Sequence, residues 1–320
     1  MNNKYIHILG SKISEKNYNQ IGNKAKNLEL LLKAGFQVPP GFCVTCEGMN
    51  AYLQKINLKL DFKQLTDNLV LDKKNSFREI EKIQKKIINE SMPDELFEKI
   101  KDTFNLMNEK RKDSGWIARS SSPIEDSSTA AFAGMFDSFG GLFSFEQVIE
   151  GIKQCFASSV NDRLLVYLHA LKLLNDIPVL SVLVQKIINA DKAGVLFTNH
   201  PVTKNENTII IEGTWGFCEL LVGGNITPDF WQINKKTFEV QSSRIGSKKK
   251  MMILEKDGLN IITTPLEKKN SLCLNSKDIK KLIEAALLVE NFFDSPQDIE
   301  WVISDETLWI VQSRPISNIS

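Results

Sequence analysis

Hydrophobic positions follow a helical period in the first half of the chain and a strand-like period in the second. Residues 23–33, NKAKNLELLLK, carry leucines at helical spacing. Gly35 reads as the residue just past that helix, and Pro39-Pro40-Gly41 as a firm stop before a strand at residues 42–45. Residues 50–111 are rich in Lys, Glu, Leu and Ile with helical periodicity, and Pro93 opens one of these helices near its first turn. Residues 115–122 read as a short strand that ends in a polar loop, followed by small residues at 127–134. Residues 146–175 again read as helical. From Val179 onward the texture changes. Residues 179–188, 193–198 and 208–212 are aliphatic and β-branched, shorter strands follow at 230–233 and 238–240, and residues 278–293 form an amphipathic helix. This order predicts an α+β fold with a mainly antiparallel sheet in the second half. The chain shows no internal repeat and no low-complexity linker, so two interlocked lobes are expected. The first is residues 1–178, with a helical insertion at about 50–111, and the second is residues 179–320.

The last segments alternate polar and apolar residues, Asp298-Ile299-Glu300-Trp301-Val302 and Trp309-Ile310-Val311-Gln312-Ser313-Arg314, around the turn signal Ser304-Asp305-Glu306-Thr307. That is a β-hairpin pattern. With a loop of Asp305, Glu306 and Thr307, Glu300 lies opposite Gln312 and Asp298 opposite Arg314. Two carboxylates, an amide oxygen and a guanidinium then share one surface. Such a set suits a divalent metal bound to a polyphosphate. An edge hairpin with a solvated polar face is the alternative.

Composition narrows the classes. A chain of 320 residues suggests about two domains. A net charge of +1 predicts no strong attraction to nucleic acid or anionic lipid, and the run Lys248-Lys249-Lys250 reads as a solvated loop. Five cysteines in a long chain do not form a secreted disulfide framework. Cys43 and Cys46 have redox or half-zinc spacing without a second such pair, so two small semi-buried residues are expected there. The N-terminus lacks the apolar core of a signal peptide, and no apolar run reaches the roughly 18 residues of a membrane span. Residues 164–174, which include His169 and Lys172, read as a buried helix. A cytoplasmic protein follows by default.

Five blocks, in order, resemble one family. GNKAKNLELLLKAGFQVPPGFCVT resembles the opening of the ATP-binding domain of phosphoenolpyruvate synthase and pyruvate, phosphate dikinase. IARSSSPIEDSSTAAFAGMFDSF resembles its Arg-Ser-Ser block and the phosphate-covering loop after it. VLVQKIINADKAGVLFTNHPVT resembles its adenine-hinge strand and the strand that follows. IIIEGTWGFCELLVGGNITPDFW resembles its Glu and Thr-Pro-Asp block, and QDIEWVISDETLWIVQSRPI resembles its metal-binding hairpin. Rifampicin phosphotransferases share this domain.

The resemblance implies an ATP-grasp fold whose two lobes hold ATP between them. It implies that Lys24, Arg119 and Arg314 contact phosphates, that Glu300 and Gln312 bind Mg2+, and that Asp298 supports the metal through a second shell. The strand ending in Gln185, with the backbone of Lys186, Ile187 and Ile188, would hold adenine, and Glu212 would lie near the nucleotide, at the ribose. Glu219 also matches, without a clear role. The covering loop contributes Thr129 and its one glycine, Gly134. The serine usual before Phe132 is Ala131 here, with Thr129 or Ser128 as substitute. Two further departures are Asn23, where the family has glycine in Gly-Gly-Lys, and Lys204, where it has glycine after Pro-Val-Thr. In the family a histidine on a separate domain takes phosphate from ATP. Neither His7, His169 nor His200 lies in such a motif, and His169 in its apolar helix reads as semi-buried. A histidine-bearing phosphocarrier in trans and a small-molecule final acceptor are therefore the partners implied. A self-contained ATP-dependent kinase or ligase and a non-catalytic nucleotide-binding module are the alternatives.

Overall fold

The computed structural model describes residues 4–59, 61–71, 73–108, 114–123, 135–170, 180–255 and 258–316. Thr129 and Gly134 lie outside these residues, as do the other small residues of 127–134. The chain divides into two compact units, Met1–Lys26 with Pro40–Lys186, and Asn27–Pro39 with Ile187–Ser320.

The first unit contains strand β1 (Ile6–Ile8), the start of helix α1 (Gly22–Lys33), β2 (Gly41–Val44), helices α2 (Cys46–Lys55), α3 (Phe62–Leu71), α4 (Lys73–Asn89) and α5 (Asp94–Asn108), β3 (Trp116–Ser121), β4 (Ser138–Leu142), α6 (Phe145–Ala157), α7 (Asp162–Ala170) and β5 (Ser181–Lys186). Its five strands pair in the order β1-β2-β5-β3-β4. The core gathers Phe42, Trp116 and Val184 from the sheet with Tyr52, Leu96, Ile152 and Phe156 from the helices. Helix α6 starts at a capping box, in which the Ser144 hydroxyl accepts from Gln147 N and the Gln147 side chain accepts from Ser144 N. Helix α7 is one-sided. Leu164 and Leu165 are buried, whereas Val166 and His169 are exposed, so His169 is not the semi-buried residue expected.

The second unit contains β6 (Lys192–Phe197), β7 (Thr208–Trp215), α8 (Glu219–Val222), β8 (Asp229–Asn234), β9 (Val240–Arg244), β10 (Lys250–Glu255), β11 (Gly258–Thr263), α9 (Leu266–Lys269), α10 (Ser276–Phe293), β12 (Gln297–Ser304) and β13 (Thr307–Pro315). Six strands form an antiparallel sheet in the order β13-β12-β6-β7-β8-β9, and β10 pairs with β11 in a separate ribbon. One face of the large sheet carries Leu196, Ile299, Trp301 and Ile310, which meet Leu282 and Ala286 of α10 around a small void. The helices and antiparallel pairing match the α+β expectation.

The division between units differs from a boundary at 178/179. Strand β5 hydrogen-bonds between β2 and β3, with Gly41 opposite Gln185 and Ile117 opposite Gln185, so it belongs to the first sheet. Residues 27–39 join the second unit because Asn27 Nδ2 donates to Ser313 O at 2.9 Å and Ile310 N donates to Gln37 O at 2.9 Å. These bonds satisfy part of the outer edge of β13, which is the end strand of its sheet.

Lys248 corrects the reading of its run as a solvated loop. Its side chain is fully buried and paired with Asp229, while Lys249 and Lys250 are exposed. Asp229 also accepts from Gly246 N at 2.8 Å and Cys273 N at 2.7 Å, so each carboxylate oxygen has a partner. A buried charge needs that full complement.

Candidate active site

In the second unit the site begins at the turn between β12 and β13. Ser304 pairs with Thr307, so the loop is the two residues Asp305 and Glu306 rather than three. Both have positive φ, 46° and 62°, as a tight type I′ hairpin turn requires. Lys277 Nζ holds Glu306 Oε2 at 2.6 Å, Lys281 Nζ donates to Glu306 O at 2.6 Å, and Asp305 N donates to Asp191 Oδ2 at 2.9 Å. Continued without interruption, this register would put Val311 opposite Glu300 and turn Gln312 to the other face. Val311 is instead an extra residue: Trp301 pairs with Ile310, and Glu300 pairs with Gln312. The bulge restores the pairs read from the alternation, Glu300 with Gln312 and Asp298 with Arg314.

The register extends across the sheet. Glu300 pairs with Val195, Val195 with Glu212, Glu212 with Phe230, and Phe230 with Arg244. Directly paired residues share a face, so Gln312, Glu300, Glu212 and Arg244 lie in one row on the face opposite Ile299 and Ser313. Glu300 and Glu212 are two strand spacings apart, about 10 Å. On the opposite face Gly194 leaves room for the Trp301 ring and the Glu212 carbonyl, which a Cβ there would meet at 2.6 Å and 1.9 Å.

Asp298 is paired with Arg314. Its Oδ2 accepts from Arg314 Nε at 2.9 Å and Nη2 at 2.8 Å, which orients the guanidinium beside Gln312. Glu212 is half-buried, and desolvation raises its pKa while the Arg244 charge acts against that rise. Phe230 lies between the two strands that carry them, and the Arg244 guanidinium sits over its ring at 5.5 Å.

Glu300 and Gln312 fit a magnesium ion in donor chemistry: two hard oxygen donors side by side, with no cluster of three or more His, Cys, Asp or Glu among the described residues. Magnesium commonly takes only one or two protein oxygens and completes its shell with water and phosphate.

In the first unit, the first turn of α1 docks on the end of β3. Lys24 Nζ donates to Ser120 O at 3.0 Å, Asn23 N to Ser122 O at 3.0 Å, and Asn23 Nδ2 to Pro123 O at 2.9 Å. Asn23 thus uses its amide where the family has glycine. The helix start is capped from a distant strand. Ser121 Oγ accepts from Ala25 N at 3.2 Å and donates to Ile21 O at 2.9 Å. Gly22 has φ +70° and lies so close that a Cβ would meet Ser121 O at 2.1 Å. Arg119 sits one residue before Ser120 on β3, opposite Leu183 of β5 and Ser138 of β4. Lys24 thus bonds to the carbonyl of the residue that follows Arg119 on β3.

On β5, Gln185 and Lys186 are buried. Lys186 N donates to Pro40 O at 2.9 Å, and Lys186 Nζ to Asn108 Oδ1 at 2.8 Å and Ser114 O at 3.0 Å, so both nitrogens serve the first unit's own structure. Ile187 and Ile188 are buried as well.

The remaining candidates have structural partners. Cys43 and Cys46 are buried free thiols that face the Ile21 and Asn19 carbonyls, and burial pushes Cys46 up to about 12. His200 Nδ1 accepts from Val202 N and Thr203 N at 3.2 Å, which closes the turn after β6. Sequence reasoning missed Arg244 and the bulge at Val311. Arg244 has no motif around it, and only the cross-strand register puts it in the row.

No helix among the described residues is long and apolar enough to cross a membrane. The family model of the pyruvate phosphate dikinase AMP/ATP-binding domain matches residues 18–320. The chain is 33% identical to a probable phosphoenolpyruvate synthase of Methanothermobacter thermautotrophicus, over 93% of this chain and 44% of that protein. It is 30% identical to a probable phosphoenolpyruvate synthase of Methanocaldococcus jannaschii, over 96% of this chain and 26% of that protein. It is also 30% identical to the phosphoenolpyruvate synthase of Aeropyrum pernix, over 92% and 40%. The chain thus spans less than half the length of these relatives. A D-alanine–D-alanine ligase of Bacillus anthracis superimposes over 93% of this chain and 57% of its own, with 7% identity and a TM-score of 0.36, a likeness too weak to bear on the fold. The match over nearly the whole length is what decides the matter: the chain belongs to the pyruvate phosphate dikinase AMP/ATP-binding domain family.

Proposed function

We propose that this chain binds Mg-ATP and acts as the phosphoryl-donating part of a phosphotransferase of the phosphoenolpyruvate synthase type, with the ATP-grasp architecture its family implies. The observation that carries the reading is the register of the second unit's sheet, which presents Glu300, Gln312, Glu212 and the Asp298-oriented Arg314 on one face. Glu300 and Gln312 would hold Mg2+. When bound, that ion neutralises and orients phosphate oxygens. Arg314 contacts phosphate through a guanidinium whose direction Asp298 fixes. Glu212 accepts from ribose hydroxyls. In the first unit, Lys24 and Arg119 supply positive charge to the phosphates; Thr129 and Gly134, outside the described residues, keep the nucleotide-binding part that the family resemblance implies. The end of β5 at Gln185 and Lys186 and the two residues after it carry the adenine end, with Ile187 and Ile188 offering apolar cover. Catalysis on this reading is positioning and charge stabilisation, as phosphoryl transfer generally requires.

The acceptor is a histidine on a domain or subunit outside this chain, and a small molecule receives the phosphate from it. The coverage of 26–44% of the longer relatives supports this reading. Calorimetry of Mg-ATP binding to wild type, Glu300→Ala and Arg119→Ala tests the site. Binding should fall in both variants, and undiminished binding in both would sink the assignment. Product analysis tests the acceptor. AMP formed only with a histidine-domain protein present supports transfer in trans. ADP formed with a small molecule alone supports a self-contained kinase, and nucleotide bound without turnover under any condition supports a binding module.

A further inference from the structure

The bulge at Val311 interrupts the β12–β13 ladder once, between the pairs Trp301–Ile310 and Glu300–Gln312, so the register of Gln312 and Arg314 is not a simple continuation of the turn and rests also on what else holds β13. Ser313, the residue between them, points to the opposite face and is 1% exposed. Its Oγ donates to Gln297 Oε1 at 2.8 Å. Gln297 is fully buried, and its Nε2 donates to Ser295 Oγ at 2.9 Å and Ser295 O at 3.1 Å. Those donor bonds fix which way the amide faces, so Oε1 is held toward Ser313. The Gln297 backbone is clamped as well: its N donates to Thr198 Oγ1 at 2.8 Å, and Thr198 N donates to its O at 2.9 Å. Thr198 Oγ1 in turn donates to Glu290 Oε1 at 3.1 Å, and Glu290 is paired with Lys235 at 2.6 Å. From the outer edge of the sheet, Asn27 Nδ2 donates to Ser313 O at 2.9 Å. Hydroxyl and carbonyl of one residue are thus held by two separate elements.

We propose that Gln297 and Asn27 form a clamp on Ser313 that sets Gln312 and Arg314 in the register needed for metal and phosphate. These three are positioning residues: Ser313 and Gln297 lie on the face opposite the row that carries Glu300, and Asn27 reaches β13 at the backbone carbonyl of Ser313. The inference rests on the metal-phosphate reading of that row. The physical basis is that side chains on a strand alternate, so fixing residue 313 on the back face fixes 312 and 314 on the front. A slip or tilt at 313 separates Gln312 from Glu300 without touching either.

The test is a Mg2+ titration of ATP binding to the full chain, read as the Mg2+ concentration at half-maximal affinity. Ser313→Ala should raise that midpoint by roughly tenfold, the scale on which groups that orient metal ligands act. Ser313→Thr keeps the hydroxyl on a side chain that favours strands and should restore the wild-type midpoint. A merely structural residue would change the melting temperature without shifting the Mg2+ midpoint. A Ser313→Ala midpoint equal to wild type, or one that threonine does not restore, overturns the clamp. Should Ser313→Ala fail to fold, half-buried Asn27→Ala removes one donor only; a raised midpoint supports the clamp and an unchanged one overturns it. Glu300→Ala separates the two levels. If it keeps Mg2+-dependent binding, the metal reading fails and the clamp with it. If it loses that binding while Ser313→Ala is silent, only the clamp fails.

Discussion

Glu300 faces Gln312 across the terminal hairpin because Val311 is an extra residue that cancels the one-residue shift of a two-residue turn. The alternation of the two strands is legible in sequence, and so is the pairing it demands. The means differ from the reading. A three-residue loop would have given the same pairs with no bulge, whereas Asp305 and Glu306 turn the chain alone. The burial of Ile299, Trp301 and Ile310 on one face leaves little freedom for any other register.

Asp298 should matter through Arg314 rather than through the metal. Asp298→Ala removes both bonds to the guanidinium. Calorimetry of ATP binding should show a loss of roughly tenfold, about 1.4 kcal/mol, within the range of a charge-assisted hydrogen bond. The Mg2+ midpoint should stay put. A shifted midpoint would return Asp298 to the metal's second shell.

Glu212 makes stability depend on pH in a direction opposite to most carboxylates. Burial raises its folded-state pKa above the ordinary value, so the folded protein holds the proton more tightly than the unfolded chain. Stability therefore falls as pH rises from the ordinary glutamate range through the raised value. Glu212→Gln should stabilise the protein at pH 7 relative to wild type, less so at pH 4, while weakening nucleotide binding. Urea unfolding at the two pH values checks this. Arg244→Ala removes the opposing charge and should move the stability loss to higher pH.

Asp229 holds buried Lys248, and the pair has no solvent to fall back on. Asp229→Ala should cost about 3–5 kcal/mol in denaturant unfolding, since it leaves an unpaired buried ammonium. Lys249→Ala, on an exposed neighbour, should stay within about 0.5 kcal/mol. Equal effects of the two would mean that Lys248 reaches solvent.

Lys204 stands at φ +57°, a left-handed conformation that favours glycine, and its side chain is exposed. This is the position where the family pattern has glycine. Lys204→Gly relieves a cost of about 1–2 kcal/mol and adds back about 0.5–1 kcal/mol of chain entropy. Thermal unfolding should show a gain of roughly 0.5–1 kcal/mol, and a lower melting temperature would refute the strain.

Several features were beyond reach of local pattern. Lys248 sits in a run of three lysines, and nothing in its neighbours distinguishes it; its partner lies 19 residues earlier, across the end of β8. Ser121 caps a helix that begins 99 residues before it, a bond that no capping rule based on adjacent residues can find. His169 looked semi-buried because residues 164–174 are apolar overall, but α7 buries one side only. Cys43 and Cys46, expected as small semi-buried residues, are buried against the Ile21 and Asn19 carbonyls, a depth of burial that their spacing does not show.

By itself the sequence determined the type of the strongly periodic elements, though not the β10–β11 ribbon or β4, together with the antiparallel texture of the second half and the polar face of the last hairpin, because side-chain periodicity is a local property of the backbone. Its five ordered blocks determined the family. Tertiary structure decided which residues meet. The row from Gln312 to Arg244 needs five strand pairings at once, and the clamp on Ser313 needs Asn27, 286 residues away. Such relations depend on register and chain crossing, which hydrogen bonds and packing set only when the sheet closes.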